Sequence, residues 1–332
     1  MEYTQLGRTG LQVSRVVLCT GKFGPAISEA DSFTVMDAAL GVGINVFANV
    51  YDWGENKGQT EKIIGNWFAQ GGGRREKVVL ATKLYASMAP DNDPSPNMGR
   101  LSALNIRRSV EAGLERLRTD CIDLLQLHHV DRNTPWEEIW QAIDVLVQQG
   151  KILYAGSSNH AGWHIAQANE TAGRRGSLGL VVGECLYNLA ERRAEMEVIP
   201  AAQSYGLGVW ARSPLHGGLL GGVLRRLHEG GAMPTARGRA ASAAKALENP
   251  AIRDRVQAYE DLVDQYGLDP GEVALAWLLT RPSITGPAIG PGSVECLETA
   301  VRAVQLQLPQ ELLTALEEVF PGPGPSPEAF AW

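Results

Sequence analysis

The sequence lacks features that would place a protein in a membrane or hold it together by cross-links. No apolar run approaches the roughly 20 residues that cross a bilayer as a helix. The opening MEYTQLGRTGLQVSR lacks the apolar core of a signal peptide. The four cysteines are far apart without CxxC spacing, so neither a zinc site nor a disulfide framework is indicated. We therefore expect a soluble, cytoplasmic protein with no membrane contact.

The charge balance argues against one class of partner. The net charge is −7 over 332 residues, and basic pairs such as Arg107-Arg108 and Arg225-Arg226 are scattered among acids. This pattern lacks the basic face with which proteins bind nucleic acids. The composition, 44% hydrophobic and 20% charged, is that of an ordinary globular protein, so we expect small-molecule chemistry rather than nucleic-acid binding.

Eight short apolar runs alternate with amphipathic helical stretches. Most of the runs are continuously apolar, as in parallel strands covered on both faces. They are 15–20, 44–48, 77–83, 121–129, 152–159, 178–188, 206–213 and 283–290. Eight strand–helix pairs predict an α/β fold, a closed (β/α)8 TIM barrel. A doubly wound sheet is the alternative, weakened by the absence of a GxGxxG motif after a strand and of a P-loop.

Two helical stretches have clear signals. The first, 101–118, has an apolar stripe, and the second, 135–150, begins near a proline and stops at a glycine. The stripe residues are Leu101, Leu104, Ile106, Val110, Leu114 and Leu117.

The remaining segments are predicted from their glycine and proline content. YTQLGRTGLQVSR predicts an N-terminal hairpin that caps the barrel bottom, and 88–99 and 216–249 predict long loops at the C-terminal face. Because there is no clear linker, we predict one domain over 1–332. Its Pro/Gly-rich tail at 320–332 should lie extended over the surface.

Polar side chains stand at the C-terminal ends of the predicted strands, where a barrel brings them together. They are Tyr51, Lys83, His128, His129, Ser157, Ser158, Asn159, Glu184, Arg212 and Ser213. A phenol is a poor acid at neutral pH, and a nearby ammonium lowers its pKa by stabilising the phenolate. A histidine can polarise a substrate oxygen. A Tyr, a Lys and a His at one point therefore suit carbonyl reduction, with hydride from a nicotinamide and a proton from the tyrosine.

Several stretches together resemble the aldo-keto reductases over nearly the whole chain. They are LGRTGLQVS, the Tyr51 segment, KVVLATK, IDLLQLHH, KILYAGSSN, LYNLAERRAE, SPLHGGLLGG, VALAWLLTRP and SITGPAIG. In finer detail, DRNTPWEEIWQAIDVLVQQGKILYAGSSN, the WGENKG loop and the GPGPSPEAFAW tail resemble reductases of actinomycete antibiotic pathways. Those enzymes act on keto-deoxysugar nucleotides or on ketones of polyketide side chains.

The resemblance implies a role for each matching residue. Tyr51 corresponds to the proton donor, Lys83 to the lysine that lowers its pKa, and His128 to the histidine that orients the carbonyl. The implied cofactor is NADPH, and its choice over NADH rests on the habit of the family alone. The implied cofactor contacts are Thr20, Ser158, Asn159, Glu184, Arg212, Ser213, Leu215, Gly217, Leu219 and Ser293.

One family residue is missing in front of Tyr51. The family usually has an Asp five residues before the tyrosine, where this chain has Val46; read with a gap, VFANVY has lost an Asp-Thr pair. The carboxylate that normally pairs with the lysine is absent in either reading, and a buried ammonium without a partner is costly. Asp52 and Glu184 could replace it, and we hypothesise that Glu184 has a catalytic role by supplying the missing charge.

Other departures fall on the cofactor side. Glu184 stands for a usual Gln, Arg212 for a common aromatic residue, and Cys19 for the Gly before Thr20. Near the last strand, a usual Arg, Gln and Asn are replaced by Gly292, Cys296 and Ala300.

Two functions remain open at this stage. The first is an NADPH-dependent ketone reductase of secondary metabolism, and the second is a reductase-like barrel that binds a nucleotide or a partner protein with little or no catalysis. The sequence does not fix the oligomeric state; a homo-oligomer is one option, because relatives of this branch often assemble. His128 and His129 suggest a metal only weakly, since no carboxylate or cysteine lies at ligand spacing, and we predict none.

Overall fold

The computed structural model describes residues 1–50, 57–86, 97–230 and 239–325. Ten β-strands lie within these ranges. They are Tyr3–Gln5 (β1), Gln12–Ser14 (β2), Val17–Cys19 (β3), Val46–Ala48 (β4), Val79–Leu84 (β5), Ile122–Leu127 (β6), Ile152–Ser158 (β7), Leu180–Leu186 (β8), Gly208–Arg212 (β9) and Ile284–Ile289 (β10). The last eight form a closed barrel in the order β10-β3-β4-β5-β6-β7-β8-β9, with every neighbouring pair parallel. The predicted (β/α)8 barrel is confirmed.

Helices surround the barrel. Within the described ranges they are Glu29–Gly41 (α1), Gln59–Phe68 (α2), Ala103–Leu117 (α3), Trp136–Gln148 (α4), Gly162–Arg174 (α5), Val198–Ser204 (α6), Val223–His228 (α7), Arg239–Ala246 (α8), Pro250–Gln265 (α9), Pro270–Thr280 (α10), Val294–Gln305 (α11) and Gln310–Val319 (α12). No helix in the described part of the chain is both long enough and apolar enough to cross a membrane.

Every barrel strand overlaps its predicted run, although the observed strands are mostly shorter. The helices α3 and α4 lie inside the predicted stretches 101–118 and 135–150. One residue of the predicted stripe is wrong: Leu104 is 45% exposed, whereas the other five stripe residues are buried. Leu104 lies in the first turn of α3, on the side turned away from the barrel, because its direction differs from that of Ile106 and Val110 by half a turn.

The N-terminal hairpin is present and closes the bottom of the barrel. The strands β1 and β2 pair antiparallel, and the turn between them lies against the start of β9. Gly7 has φ +53°, and a Cβ there would stand 2.6 Å from the backbone of both Gly206 and Gly208. Only a glycine allows the hairpin to approach this closely.

Three clusters of buried apolar side chains lie in the described part of the chain, and the smallest packs α7, α8 and α9 together. Another lies inside the barrel and includes Leu6 of the hairpin, Val46, Leu124 and Trp210. The largest cluster lies between the strands and the helices. Side chains therefore alternate along each strand between the barrel interior and the helix layer.

The helices α2 and α3 approach each other closely at a glycine. A Cβ built on Gly65 of α2 would lie 2.3 Å from the carbonyl oxygen of Arg116 in α3. Gly113 of α3 is less confined, since a Cβ there would lie 3.5 Å from Glu61 Oε1. The close approach brings the buried Glu61 within 2.6 Å of Arg116 Nε.

The predicted loops at the C-terminal face fall partly outside the described residues, which exclude 87–96 and 231–238. The described part of 216–249 contains α7 and α8 and is therefore more helical than expected. Of the predicted tail, Phe320 is buried, and 326–332 lies outside the described residues.

Candidate active site

Lys83 lies at the end of β5 with its side chain inside the barrel mouth. The side chain is 2% exposed, and its Nζ is 3.0 Å from Oε2 of Glu184, which is 4% exposed. Glu184 lies on β8, three strands away, so the two side chains meet across the barrel interior. The described residues thus bring together two of the predicted catalytic groups as a buried ion pair.

The register of the strands explains why Val46 has no part in this pair. Val46 pairs with Val79 on the neighbouring strand, four residues before Lys83. Four residues of strand correspond to about 13 Å. A carboxylate at position 46 would lie deep in the apolar interior and out of reach of Lys83.

His128 follows β6 and stands beside Lys83's strand, because its N–H donates to Leu84 O at 3.0 Å. Its ring stacks on His129 with centroids 4.4 Å apart, and His129 meets Tyr85 edge-on at 5.2 Å. The three rings form a row at the mouth, which we call the aromatic row (Tyr85, His129 and His128). No group of three metal-ligating side chains occurs within the described ranges.

The implied carboxamide-binding pair, Ser158 and Asn159, lies at the end of β7 and contacts Arg212 at the end of β9. Asn159 Nδ2 donates to Ser158 Oγ at 3.0 Å and to His128 O at 3.2 Å, while Asn159 Oδ1 accepts from Arg212 Nη2 at 2.9 Å. Asn159 has φ +59°, a left-handed conformation that asparagine tolerates better than most residues. Arg212 Nε is buried without a hydrogen-bond partner among the described residues.

The loop after β9 turns repeatedly through left-handed conformations. Ser213, His216 and Gly217 have φ of +55°, +48° and +73°. Asn188 Nδ2 donates to Ser213 O at 3.0 Å and fixes the start of the loop. Leu215 and Gly217 are partly exposed and Leu219 is buried. Backbone N–H groups in alternating conformations of this kind form concave sites for anions.

Thr20 and Ser293 are less directly placed for a cofactor. The Thr20 hydroxyl is fully buried and donates to Asn49 Oδ1 at 3.3 Å. Ser293 is exposed at the start of α11, and its hydroxyl lies 3.6 Å from Cys296 Sγ. Gly292 beside it has open space around it. Tyr51 and Asp52 lie outside the described residues, so the role of Tyr51 stays a prediction.

A polar network behind β5 was missed from the sequence. Asn49 Nδ2 donates to Thr82 Oγ1 at 3.1 Å, and Thr82 Oγ1 donates to Glu61 Oε1 at 2.8 Å. Glu61 then binds Arg116, which ties β4, β5, α2 and α3 together directly behind Lys83. The sequence signal was a Glu on the buried face of an amphipathic helix, a position that needs a polar partner.

Comparison with known proteins agrees with this geometry. The family model described as "Aldo/keto reductase family" matches residues 15–320. The chain belongs to the aldo/keto reductase family. It is an NAD(P)H-dependent oxidoreductase, as the members of that family are.

Three relatives illustrate the proteins to which the chain is similar. An uncharacterized oxidoreductase, YrpG of Bacillus subtilis (strain 168), is 50% identical over the whole of both chains. The versiconal hemiacetal acetate reductase of Aspergillus parasiticus is 33% identical, covering 96% of this chain and 97% of its own. A probable voltage-gated potassium channel subunit beta of Arabidopsis thaliana is 27% identical, covering 99% and 100%.

The aldo/keto reductase site fits a nicotinamide dinucleotide unevenly. The buried Arg212 Nε without a partner and the Ser158–Asn159 pair offer donors and acceptors for a carboxamide, and the loop after β9 offers N–H groups for a pyrophosphate. The adenosine end, in contrast, has Gly292 in open space. Among the described residues, the implied nicotinamide end therefore offers more polar partners than the implied adenosine end.

Proposed function

We propose that this aldo/keto reductase uses NADPH to reduce a ketone on a secondary-metabolite intermediate to an alcohol. The observation that carries the proposal is the buried ammonium of Lys83, paired at 3.0 Å with Glu184 Oε2 near the carboxyl end of β5. A buried charge at the carboxyl ends of barrel strands is unfavourable for stability alone. Such a group is retained where chemistry uses it.

Each residue has a separate task in this reaction. NADPH, when bound, supplies the hydride. Tyr51 donates a proton to the carbonyl oxygen, and Lys83 stabilises the phenolate that forms. His128 hydrogen-bonds the same oxygen and fixes its direction. Ser158 and Asn159 hold the carboxamide, which decides the face of the nicotinamide that meets the substrate.

The mouth favours a polyketide side-chain ketone over a nucleotide-linked keto-deoxysugar. The aromatic row offers flat, weakly polar surface next to His128, which suits an apolar or aromatic aglycone. A nucleotide sugar would need cationic contacts for its diphosphate. The Aspergillus relative named as a hemiacetal acetate reductase supports a substrate at the carbonyl level of oxidation.

The test begins with binding and continues with turnover. The purified protein is titrated with NADPH and with NADH, and fluorescence quenching reports each dissociation constant. Ketones of both classes are then offered with NADPH, and Tyr51→Phe and Lys83→Met serve as controls. We expect micromolar NADPH binding, reduction of polyketide-type ketones, and a loss of rate on the order of 100-fold or more in Tyr51→Phe.

The alternative is a barrel that binds a nucleotide or a partner protein with little catalysis. The replaced adenosine contacts at Gly292, Cys296 and Ala300 favour it, as does the Arabidopsis relative named as a probable channel subunit. NADPH binding without reduction of any ketone would support this alternative. Full activity in Tyr51→Phe would show that the proton donor is assigned incorrectly.

A further inference from the structure

The ion pair of Lys83 and Glu184 differs from the surface pairs of the molecule. Both side chains are at least 96% buried, and Glu184 is the one carboxylate at ion-pair distance from Lys83 in the described part of the chain. Two charges removed from water this completely are unfavourable unless each neutralises the other. Loss of either partner would leave an isolated charge inside the barrel.

The neighbouring side chains in the same layer are neutral. Gln126 pairs in register with Lys83 on one side of the barrel, and Trp210 pairs with Glu184 on the other. Gln126 Oε1 and Trp210 Nε1 are both buried without a hydrogen-bond partner among the described residues. They contribute dipoles to this layer, but they cannot replace a counter-ion.

The position of Glu184 also links the lysine to the cofactor side of the site. Glu184 pairs in register with Ser158, and its backbone carbonyl accepts from Asn159 N at 2.9 Å. The negative charge that pairs with Lys83 therefore lies on β8, next to the strand that carries the implied carboxamide-binding pair.

We propose that Glu184 is a positioning residue that keeps the Lys83 ammonium charged, and that it takes the place of the family acid that this chain lacks before Tyr51. This inference rests on the proposed function for its catalytic consequence. Burial without a counter-ion disfavours the charged form of an ammonium. Without the Glu184 carboxylate, Lys83 gives up its proton more readily and loses its effect on the phenol.

The other ionisable groups that face the barrel mouth can be separated from this effect. Among the described residues they are Cys19 at the end of β3, Tyr85 after β5, His128 and His129 after β6, and Arg212 at the end of β9. All of them are retained in a Glu184 variant. A pH effect that appears in Glu184→Gln and disappears when Lys83 is also changed therefore belongs to the pair.

The first arm of the experiment measures kcat/KM for NADPH-dependent ketone reduction between pH 6 and pH 9. Glu184→Gln should lose about tenfold or more relative to the unchanged protein, and the loss should grow as pH rises. Glu184→Asp should recover part of the rate. In a Lys83→Met background, Glu184→Gln should have no further effect. Glu260→Gln is the matched control, because its carboxylate is buried but accepts from Leu224 N and Arg225 N, away from the mouth.

The second arm needs no turnover. The urea midpoints of the unchanged protein and of Glu184→Gln are compared over the same pH range. Because the unfolded chain keeps its ammonium and the folded variant disfavours it, the difference between the midpoints should shrink as pH rises. The double variant with Lys83→Met should show no such trend.

The outcomes separate the two proposals. Unchanged rates in Glu184→Gln together with a pH-independent midpoint difference would overturn the role of Glu184. If no ketone is reduced but the midpoint difference shrinks with pH, the counter-ion inference stands and the proposed function fails. A rate loss in Glu184→Gln that persists in the Lys83→Met background would also overturn the inference, since Glu184 would then act independently of the lysine.

Discussion

Gly65 allows a direct test of how the barrel wall behind the site is held in place. We expect Gly65→Ala to destabilise the protein, because the new Cβ would stand 2.3 Å from Arg116 O and 2.8 Å from Leu117 C. Both atoms belong to the backbone, so α2 and α3 must separate by about 1 Å to restore ordinary contact. Gly113→Ala is the control, because its Cβ meets only ordinary contacts at 3.5 Å and 3.8 Å.

The magnitudes follow from two opposing effects. An alanine in the interior of a helix is more favourable than glycine by about 1 kcal/mol. Overpacking typically costs about 1–3 kcal/mol, and a clash with backbone belongs at the upper end of that range. We therefore expect Gly65→Ala to lose about 2 kcal/mol of unfolding free energy, while Gly113→Ala keeps its stability or gains up to about 1 kcal/mol.

Equilibrium unfolding in urea measures both variants under the same conditions. Separation of α2 from α3 stretches the contact of Glu61 with Arg116, and Glu61 also binds Thr82, the residue before Lys83. Gly65→Ala should therefore also lower the reduction rate. The reasoning would be refuted if the two variants had equal midpoints, since the two glycines differ in confinement and hardly in helix propensity.

Three further outcomes follow from single groups. Burial lowers the pKa of His160 from 6.5 to about 4. The unfolded chain therefore binds a proton that the folded chain does not between these values, and stability falls by about 3 kcal/mol as pH drops from about 6.5 to 4; His160→Gln should remove this part of the acid sensitivity in unfolding curves. Burial also raises the pKa of the Cys185 thiol to about 12, so a thiol reagent should label the exposed Cys296 first and Cys185 only on unfolding, as peptide mass mapping can check. Arg212→Ala should weaken NADPH binding about tenfold in fluorescence titrations, because it removes the donor that holds Asn159 Oδ1; equal affinity would show that Asn159 is held without it.

The barrel could be predicted from the sequence because its strands are buried on both faces. The strand runs are continuously apolar, whereas the apolar residues of the helices between them recur with the helical period. The number and the order of the strands could therefore both be predicted from the sequence. The strand ends were harder to predict, since polar residues such as His128 follow directly after the last residue of a strand. Leu104 was wrongly assigned to the apolar stripe because it is a leucine close to the other stripe residues in sequence. Its position around the helix axis nevertheless differs from theirs.

The candidate site was predictable in its members but only partly in its contacts. Resemblance named Lys83, Glu184 and Asn159 at single positions. The contact of Lys83 with Glu184 depends on strands three places apart, which no spacing along the chain encodes. The network of Glu61 and Thr82 was missed for the same reason, because its members come from a helix and a strand and meet only in the packed structure.

The buried pair across the barrel mouth has a consequence for how lost activity is recognised. A search of the Tyr51 segment does not find the family's acid five residues before the tyrosine, and it would class this chain with proteins that have abandoned catalysis. In a closed barrel, however, the carboxyl ends of all strands surround the same space. A charge lost from one strand can therefore be replaced by a charge on another strand, while its ion-pair partner keeps its position. For proteins of this architecture, loss of catalysis should be judged from the side chains at all strand ends of the barrel and not from one sequence motif.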